Sequence, residues 1–460
     1  MDIISSERKT KLNLYLERIT FAVALILCAV VPLITYPKAL INGSGYASQL
    51  DLFAYYKSIS NNVLAILGSA ILLLRIVIFF IGKEKIKIKY TLLMFTLWAG
   101  IAAFFAVNFQ IALFGLGLNY QGLFAYLGYF VFFTIVANYL NPNHIKHLIF
   151  ATLASSTIIA ILCLLEFYGI ELMDFFAETG RINFPTVVHA TFGNSNFVGS
   201  YFSLMTPLAV VTYLGPKDRY NNYLLFSSVA NFAGLVVCTS RISWISVFIS
   251  IVISLFYLEK SRILLKRMVI ITVLAFSITS IIDSTSNSSI TEKYSAAVNQ
   301  FTDTQNIRSF GSSRFYIYDR MISQTLGDIK RSLVGVGPDC LVFFGEITDE
   351  DLIKYPFLPT GGFAKAHSDL IEYAASMGIP ALVFYLCFIG SLLFAWIKNK
   401  HKPSAEMSGI FAAWLGYLMQ SMFNVPTIGI VSIFFIFSAI LDSRVSNQDI
   451  LPTSPAPPAG

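Results

Sequence analysis

Apolar runs, most of them about 18 to 23 residues long, recur from one end of this chain to the other, and each can cross the roughly 30 Å hydrocarbon core of a bilayer as a helix rising 1.5 Å per residue. Twelve are read, at 19–36, 60–82, 90–108, 123–140, 145–167, 194–214, 221–240, 242–258, 265–282, 369–397, 405–424 and 426–441. The composition fits: of 460 residues 56% are hydrophobic and 13% charged, where a soluble domain carries about a quarter charged. The expected fold is all-α and polytopic, with about twelve transmembrane helices.

Pro37 and Lys38 follow the first run where a signal peptidase would require small residues, so that run is read as a retained helix. Cys28, Cys163, Cys238 and Cys387 fall within runs and Cys340 stands alone in a polar segment, so neither a disulfide framework nor a CxxC zinc motif is present in the sequence. The net charge of +6 is not read as a nucleic-acid footprint, because the position of the basic residues matters more than their sum. With the N-terminus in the cytoplasm, "ERKTK", "KEKIKIK", Lys146, "PKDR", "EKSRILLKR" and "KNKHK" all lie inside, and the short outer loops keep Lys38, Lys57, Arg181 and Arg241.

This orientation divides the chain into a cytoplasmic N-terminus (1–18), nine spans (19–282), a large extracytoplasmic loop (283–366), three further spans (367–441) and a disordered cytoplasmic tail (442–460). The large loop is too long for a simple connector. Within it "SRFYIYDRMISQTLGDI" (313–329) spaces Tyr318, Met321, Ile322 and Leu326 in a roughly helical period, and "VGVGPDC" (334–340) reads as a glycine-rich turn. The two halves of the chain show no repeat, which weakens a major-facilitator reading.

Arg241, in "VCTSRISWIS", is held at or just inside the outer membrane surface with no charged neighbour in sequence. Such a position is costly unless the guanidinium is paired or faces a polar cavity. It is read either as an arginine snorkelling from a helix end or as an anion clamp, its planar fork matching phosphate oxygens. Arg314 opens the loop helix, where a cation is unfavourable unless an anion binds there, with Arg308 and Arg320 near it in sequence; ordinary solvated arginines are the alternative. His367 precedes the tenth run on the same side. An imidazole can act as general base for a hydroxyl, or the side chain can be interfacial packing. In a regular helix Asp369 and Glu372 share a face from which His367 points away, so neither acid is its natural partner.

Asn194 and Asn196, in "TFGNSNFVG", can bond a sugar or phosphate, or merely start a helix. "DED" (349–351) resembles a metal-binding DxD but lies in an outer loop, away from nucleotide sugars, and "GLGLNYQG" (115–122) reads as a tight turn rather than a dinucleotide fingerprint. His144, His147 and His401 fall in inner loops; His189 is on the outer side. No metal site and no cofactor are expected.

Taken in order, "TFGNSNFVGSYFSLMTPLA", "TSRISW", "GSSRFYIYDR", "VGVGPDCL" and "AHSDLIEYAASMGIPALVFY" resemble the O-antigen ligase and polymerase superfamily, over most of the chain. The resemblance implies a GT-C-like membrane fold and transfer of a glycan from an undecaprenyl-diphosphate carrier to a glycan, lipid or protein acceptor. Transfer would take place on the outer face of the bacterial plasma membrane. It also implies that Arg241 and Arg314 hold the lipid diphosphate and that His367 activates the acceptor hydroxyl. Ser368 stands where the family often has Asn, and Ser376 where an acid is common, which puts the acceptor in doubt. The expected chemistry is inverting and independent of a metal, with membrane lipids and no nucleic acid as other partners. Two other readings stand beside it. One is a transporter or flippase of lipid-linked saccharides. The other is a mannosyltransferase-like enzyme using Asp51, which lacks the paired acid expected there.

Overall fold

The computed structural model describes residues 2–35, 53–82, 86–117, 119–170, 188–217, 219–286, 290–293, 295, 314–344, 365–399 and 402–448, with backbone alone at 2–11, 77–82, 315 and 444–448. Among them the chain is helical and has no strand. In order come α1 (Asp2–Leu25), α2 (Tyr55–Gly82), α3 (Tyr90–Phe104), the short α4 (Phe109–Phe114), α5 (Leu123–Tyr139), α6 (Ile145–Phe167), α7 (Ser195–Leu214) and α8 (Asn221–Val237). They are followed by α9 (Arg241–Leu255), α10 (Arg262–Thr285), α11 (Arg314–Leu326), α12 (Ile329–Val334), α13 (Asp369–Met377), α14 (Ile379–Lys398), α15 (Ala405–Ser421) and α16 (Ile428–Gln448).

Among the described residues six helical segments are long and apolar enough to cross a membrane: Leu12–Leu33, Tyr55–Ile76, Pro142–Phe167, Ser195–Leu214, Arg262–Thr285 and Ile379–Lys398. Of the other apolar runs, those at α3 and α9 form helices of 15 residues, about 23 Å at 1.5 Å per residue. The run read as 369–397 is two helices. Gly378 stands at φ 86 between α13 and α14, and a Cβ there would lie 2.0 Å from the Leu333 carbonyl oxygen. The backbone therefore turns where the hydropathy runs on unbroken, because Gly378 admits both the left-handed φ and the contact. At the C-terminus α16 continues to Gln448, into the stretch read as tail.

α7 is the hub. Its apolar window is 94% buried, against 11% for α10, which lies at the rim of the bundle with its apolar side chains outward. α7 packs against α8, α9 and α15. Small residues let these backbones approach, as in many membrane helix pairs: a Cβ on Gly416 of α15 would stand 2.4 Å from the Ser203 carbonyl oxygen. α9 sends the buried stripe Ser243, Ser246, Ser250 and Ser254 inward, and each hydroxyl is satisfied, Ser246 by the Ser243 carbonyl at 3.0 Å. A second side of the bundle joins α2, α3, α5, α14 and α16.

The two ends of the bundle differ chemically. At one end Lys89 bonds Asp442 at 2.7 Å, Arg267 reaches the Tyr213 and Gly215 carbonyls, and Arg75 bonds Asn13. The other end carries the N-termini of α7, α9, α13 and α16 with α11 and α12 over them. A separate small apolar cluster seats α11 there through Tyr316, Ile317 and Met321 against Ala103, Ala112 and Ala375. Of the residues in the helical period Met321 is buried, whereas Ile322 and Leu326 are exposed, because α11 turns Tyr316 and Ile317 inward.

Candidate active site

The residues at that end are brought together by a segment that carries no motif, residues 422–427 between α15 and α16. Its Phe423 carbonyl accepts a hydrogen bond from the Arg314 guanidinium at 2.7 Å. Asn424 donates to the Asn196 carbonyl at 2.9 Å and to Ser200 Oγ at 2.6 Å. The Pro426 carbonyl accepts from Asn119 at 2.6 Å. The start of α7, the start of α11 and the "GLGLNYQG" turn thus converge on one connection.

Arg241 is the first residue of α9, after a left-handed Thr239 at φ 52. Lys293 donates to the Thr239 hydroxyl at 3.2 Å, which brings a further cation to this turn. The turn lies against α7: a Cβ on Gly199 would stand 2.5 Å from Ser243 Oγ and 2.6 Å from Ser240 Cβ. So the "TFGNSNFVG" glycine serves the close approach that sets Arg241 in place. Asn194 is an N-cap whose side chain accepts from the Asn196 N–H at 2.8 Å, which is the helix-start reading of that stretch.

Arg314 opens α11, and one turn on, the Tyr318 hydroxyl donates to the His367 carbonyl at 2.8 Å. Arg314 is partly buried; burial foremost disfavours its charge, Tyr318 favours it, and Arg241 adds a smaller effect against it. Two guanidinium groups whose charges oppose each other, at the starts of two helices, are charges that an anion between them would neutralise.

His367 lies outside α13, in a left-handed conformation at φ 53. Burial, then the positive charges of Arg314 and Lys365, lower its pKa to about 4, so the imidazole is neutral at ordinary pH. Its Nδ1 is buried with no hydrogen-bond partner among the described residues. The expectation that neither neighbouring acid orients it agrees with the geometry. Glu372 accepts from the Ala366 N–H at 2.8 Å and lies 3.4 Å from Lys365, and Asp369 is buried with its pKa raised by burial and by Glu372, Ser421 alone favouring its ionised form.

Arg320 is turned to Gln324, whose amide oxygen takes its Nε at 3.1 Å. Arg308, Asp51, His401 and the 349–351 acids lie outside the described residues. His189 pairs with Glu166, Nδ1 to Oε1 at 3.4 Å, while Glu166 also takes the His189 and Ala190 N–H groups at 3.0 and 2.8 Å. The sequence reading missed Tyr318, Lys365, Asp339 and the 422–427 segment. For Asp339 and Lys365 a signal was present, a charge between uncharged neighbours, Pro338 and Cys340 for the one and Ala364 and Ala366 for the other. For 422–427 there was none, since its contacts are mostly backbone carbonyls.

Arg314, Tyr318, Lys365 and His367 thus lie together at the end of the bundle where Arg241 begins α9, with cationic groups beside a buried imidazole. Residues 226–386, which include Arg241, Arg314 and His367, match a family model described as O-antigen ligase. No curated protein matches the chain.

Proposed function

We propose, for a chain whose residues 226–386 match the O-antigen ligase family model, that this site transfers a glycan from an undecaprenyl-diphosphate carrier to an acceptor hydroxyl. The observation that carries the reading is the convergence of Arg314, Arg241 and neutral His367 at one end of the bundle. The two guanidinium groups bind the diphosphate and stabilise the charge it gathers as it leaves. His367 takes the proton of the attacking hydroxyl. The new bond to the anomeric carbon forms opposite the breaking bond to the diphosphate oxygen, the electron pair leaves with the diphosphate, and the configuration inverts.

A base of pKa about 4 is weak, and the reading includes what strengthens it. A bound diphosphate offsets Arg314, so His367 becomes more basic in the loaded site than in the free enzyme. Donor binding thus prepares the base. A finished glycan passed to a foreign acceptor (a ligase) and a repeat unit passed to another repeat unit (a polymerase) use this chemistry equally.

In this reading α1, α2, α3, α5 to α10 and α14 to α16 all cross the inner membrane, twelve passes, with the site on the extracytoplasmic face. Support comes from the basic residues gathered at the end opposite the site, among them Lys89, Lys146, Arg262, Arg267 and Lys398.

Purified protein incubated with an undecaprenyl-diphosphate-linked saccharide and candidate acceptors, with and without EDTA, tests the reading. Transfer of inverted product that persists in EDTA and is lost in His367→Ala is expected. Transfer that survives His367→Ala in folded protein would remove the mechanism and leave a transporter of lipid-linked saccharides as the better account.

A further inference from the structure

Beside His367 the fold buries a charged cluster. Lys365 is 9% exposed and its ammonium bonds the Asp339 carboxylate and lies 3.4 Å from Glu372 Oε1. Each acid gives its other oxygen to backbone. Asp339 Oδ2 accepts from Leu116 N at 2.6 Å and Gln121 N at 3.0 Å, and Glu372 Oε2 accepts from Ala366 N at 2.8 Å. One lysine therefore ties the α4–α5 turn, the glycine-rich turn and the first turns of α13 to the two residues before His367.

Stability alone accounts poorly for such a cluster, since a buried ion pair is often no more stabilising than apolar residues of the same volume. What it secures is local. His367 holds a left-handed backbone that residues with a Cβ adopt only where their surroundings impose it. It is gripped on both sides: the preceding N–H by Glu372, its own carbonyl by Tyr318.

We propose that Lys365, held by Asp339 and Glu372, is a positioning residue that fixes the left-handed turn presenting His367 to Arg314 and sets a fixed positive charge beside the imidazole. It rests on the reading of His367 as the base. Among the described residues the charged and titratable groups near His367 include Arg314 and Tyr318 from α11, Lys365 from its own segment, Asp339 bonded to that lysine, and Asp369 and Glu372 from α13. Of these, Arg314 and Lys365 are the two that disfavour the imidazolium, after burial itself.

The full chain in lipid nanodiscs, with isotope-labelled histidine and the His367 signals assigned by their loss in His367→Gln, gives a readout that needs no substrate. Lys365→Gln is expected to move the His367 titration upward, toward the ordinary histidine range, and Lys365→Arg to restore it. Glu372→Gln keeps an acceptor for the Ala366 N–H but leaves the lysine less compensated, so the titration moves the other way. That variant carries the test if Lys365→Gln does not fold. With undecaprenyl-diphosphate-linked saccharide as donor, Lys365→Gln is expected to lower kcat by about tenfold to a hundredfold with little change in donor KM, and Lys365→Arg to recover most of it. A His367 titration unmoved in both Lys365→Gln and Glu372→Gln overturns the proposal, whatever the transfer assay gives. Transfer retained in His367→Ala overturns the base assignment instead, so the two failures are separable.

Discussion

In the proposed mechanism two arginines and a histidine carry the chemistry, and their environments differ in kind. Arg314 gives one N–H to the Phe423 carbonyl and is half withdrawn from water, which fixes where its charge points. Removing either guanidinium leaves an anion site with half its charge: Arg241→Ala and Arg314→Ala are each expected to lower transfer by about a hundredfold or more with expression unchanged, and full activity in either would sink the clamp. The pH dependence follows from His367. Its pKa of about 4 lies below the ordinary histidine value, so in the free enzyme the active neutral form persists until pH falls to that range, and kcat/KM drops only there. In the donor-bound enzyme the diphosphate raises the pKa, and the acid limb of kcat lies at higher pH than that of kcat/KM. Coincident limbs would show that the bound anion does not act on the base. The sequence alone put these three residues on one side of the membrane, but it held the packing and catalytic histidines in balance, because burial and neighbouring charge are not written in local spacing.

At the scale of elements, the site depends on two turns that lock into each other. Gly335, at φ 65, has no room for a Cβ beside the Ser376 carbonyl carbon, 2.3 Å away, and Gly378 faces Leu333 in the same way. The Val336 and Gly337 N–H groups bond the Ala375 and Ser376 carbonyls at 3.2 and 2.8 Å, and Trp98 donates to the Leu333 and Met377 carbonyls at 3.0 and 3.1 Å. Gly378→Ala therefore meets both a left-handed φ and a backbone clash, and is expected to cost about 1–3 kcal/mol of stability and to disturb the α13 segment that follows His367. Gly390→Ala is the control: a Cβ there meets nothing within 4 Å inside α14, so it is expected to be neutral or to stabilise by about 0.5–1 kcal/mol. Thermal unfolding in detergent compares the two, and equal melting temperatures would contradict the interlock. Hydropathy read α13 and α14 as one span because both are apolar; the break comes from a single glycine whose partner is some forty positions away in sequence.

For the whole molecule, alternating helices carry the chain between a basic end and a site end, and the proposed topology makes the latter extracytoplasmic. In a background without the native cysteines, Ile329→Cys, 80% exposed on α12, is expected to react with a membrane-impermeant maleimide added to intact cells. Lys402→Cys, at the basic end, is expected to react only after permeabilisation. The reverse pattern would invert the orientation and with it the access of an undecaprenyl-linked donor from outside.

The sequence by itself determined that the chain is helical and membrane-embedded, and it marked Arg241, Arg314 and His367, because long apolar runs and rare charges between them each have few physical outcomes. Only the tertiary structure decided what surrounds those residues. Phe423 on Arg314, Tyr318 on His367 and the Asp339–Lys365–Glu372 cluster join segments far apart in sequence. Such contacts are made largely by carbonyl oxygens and by charges that are stable only once buried together, and neither leaves a local pattern to read.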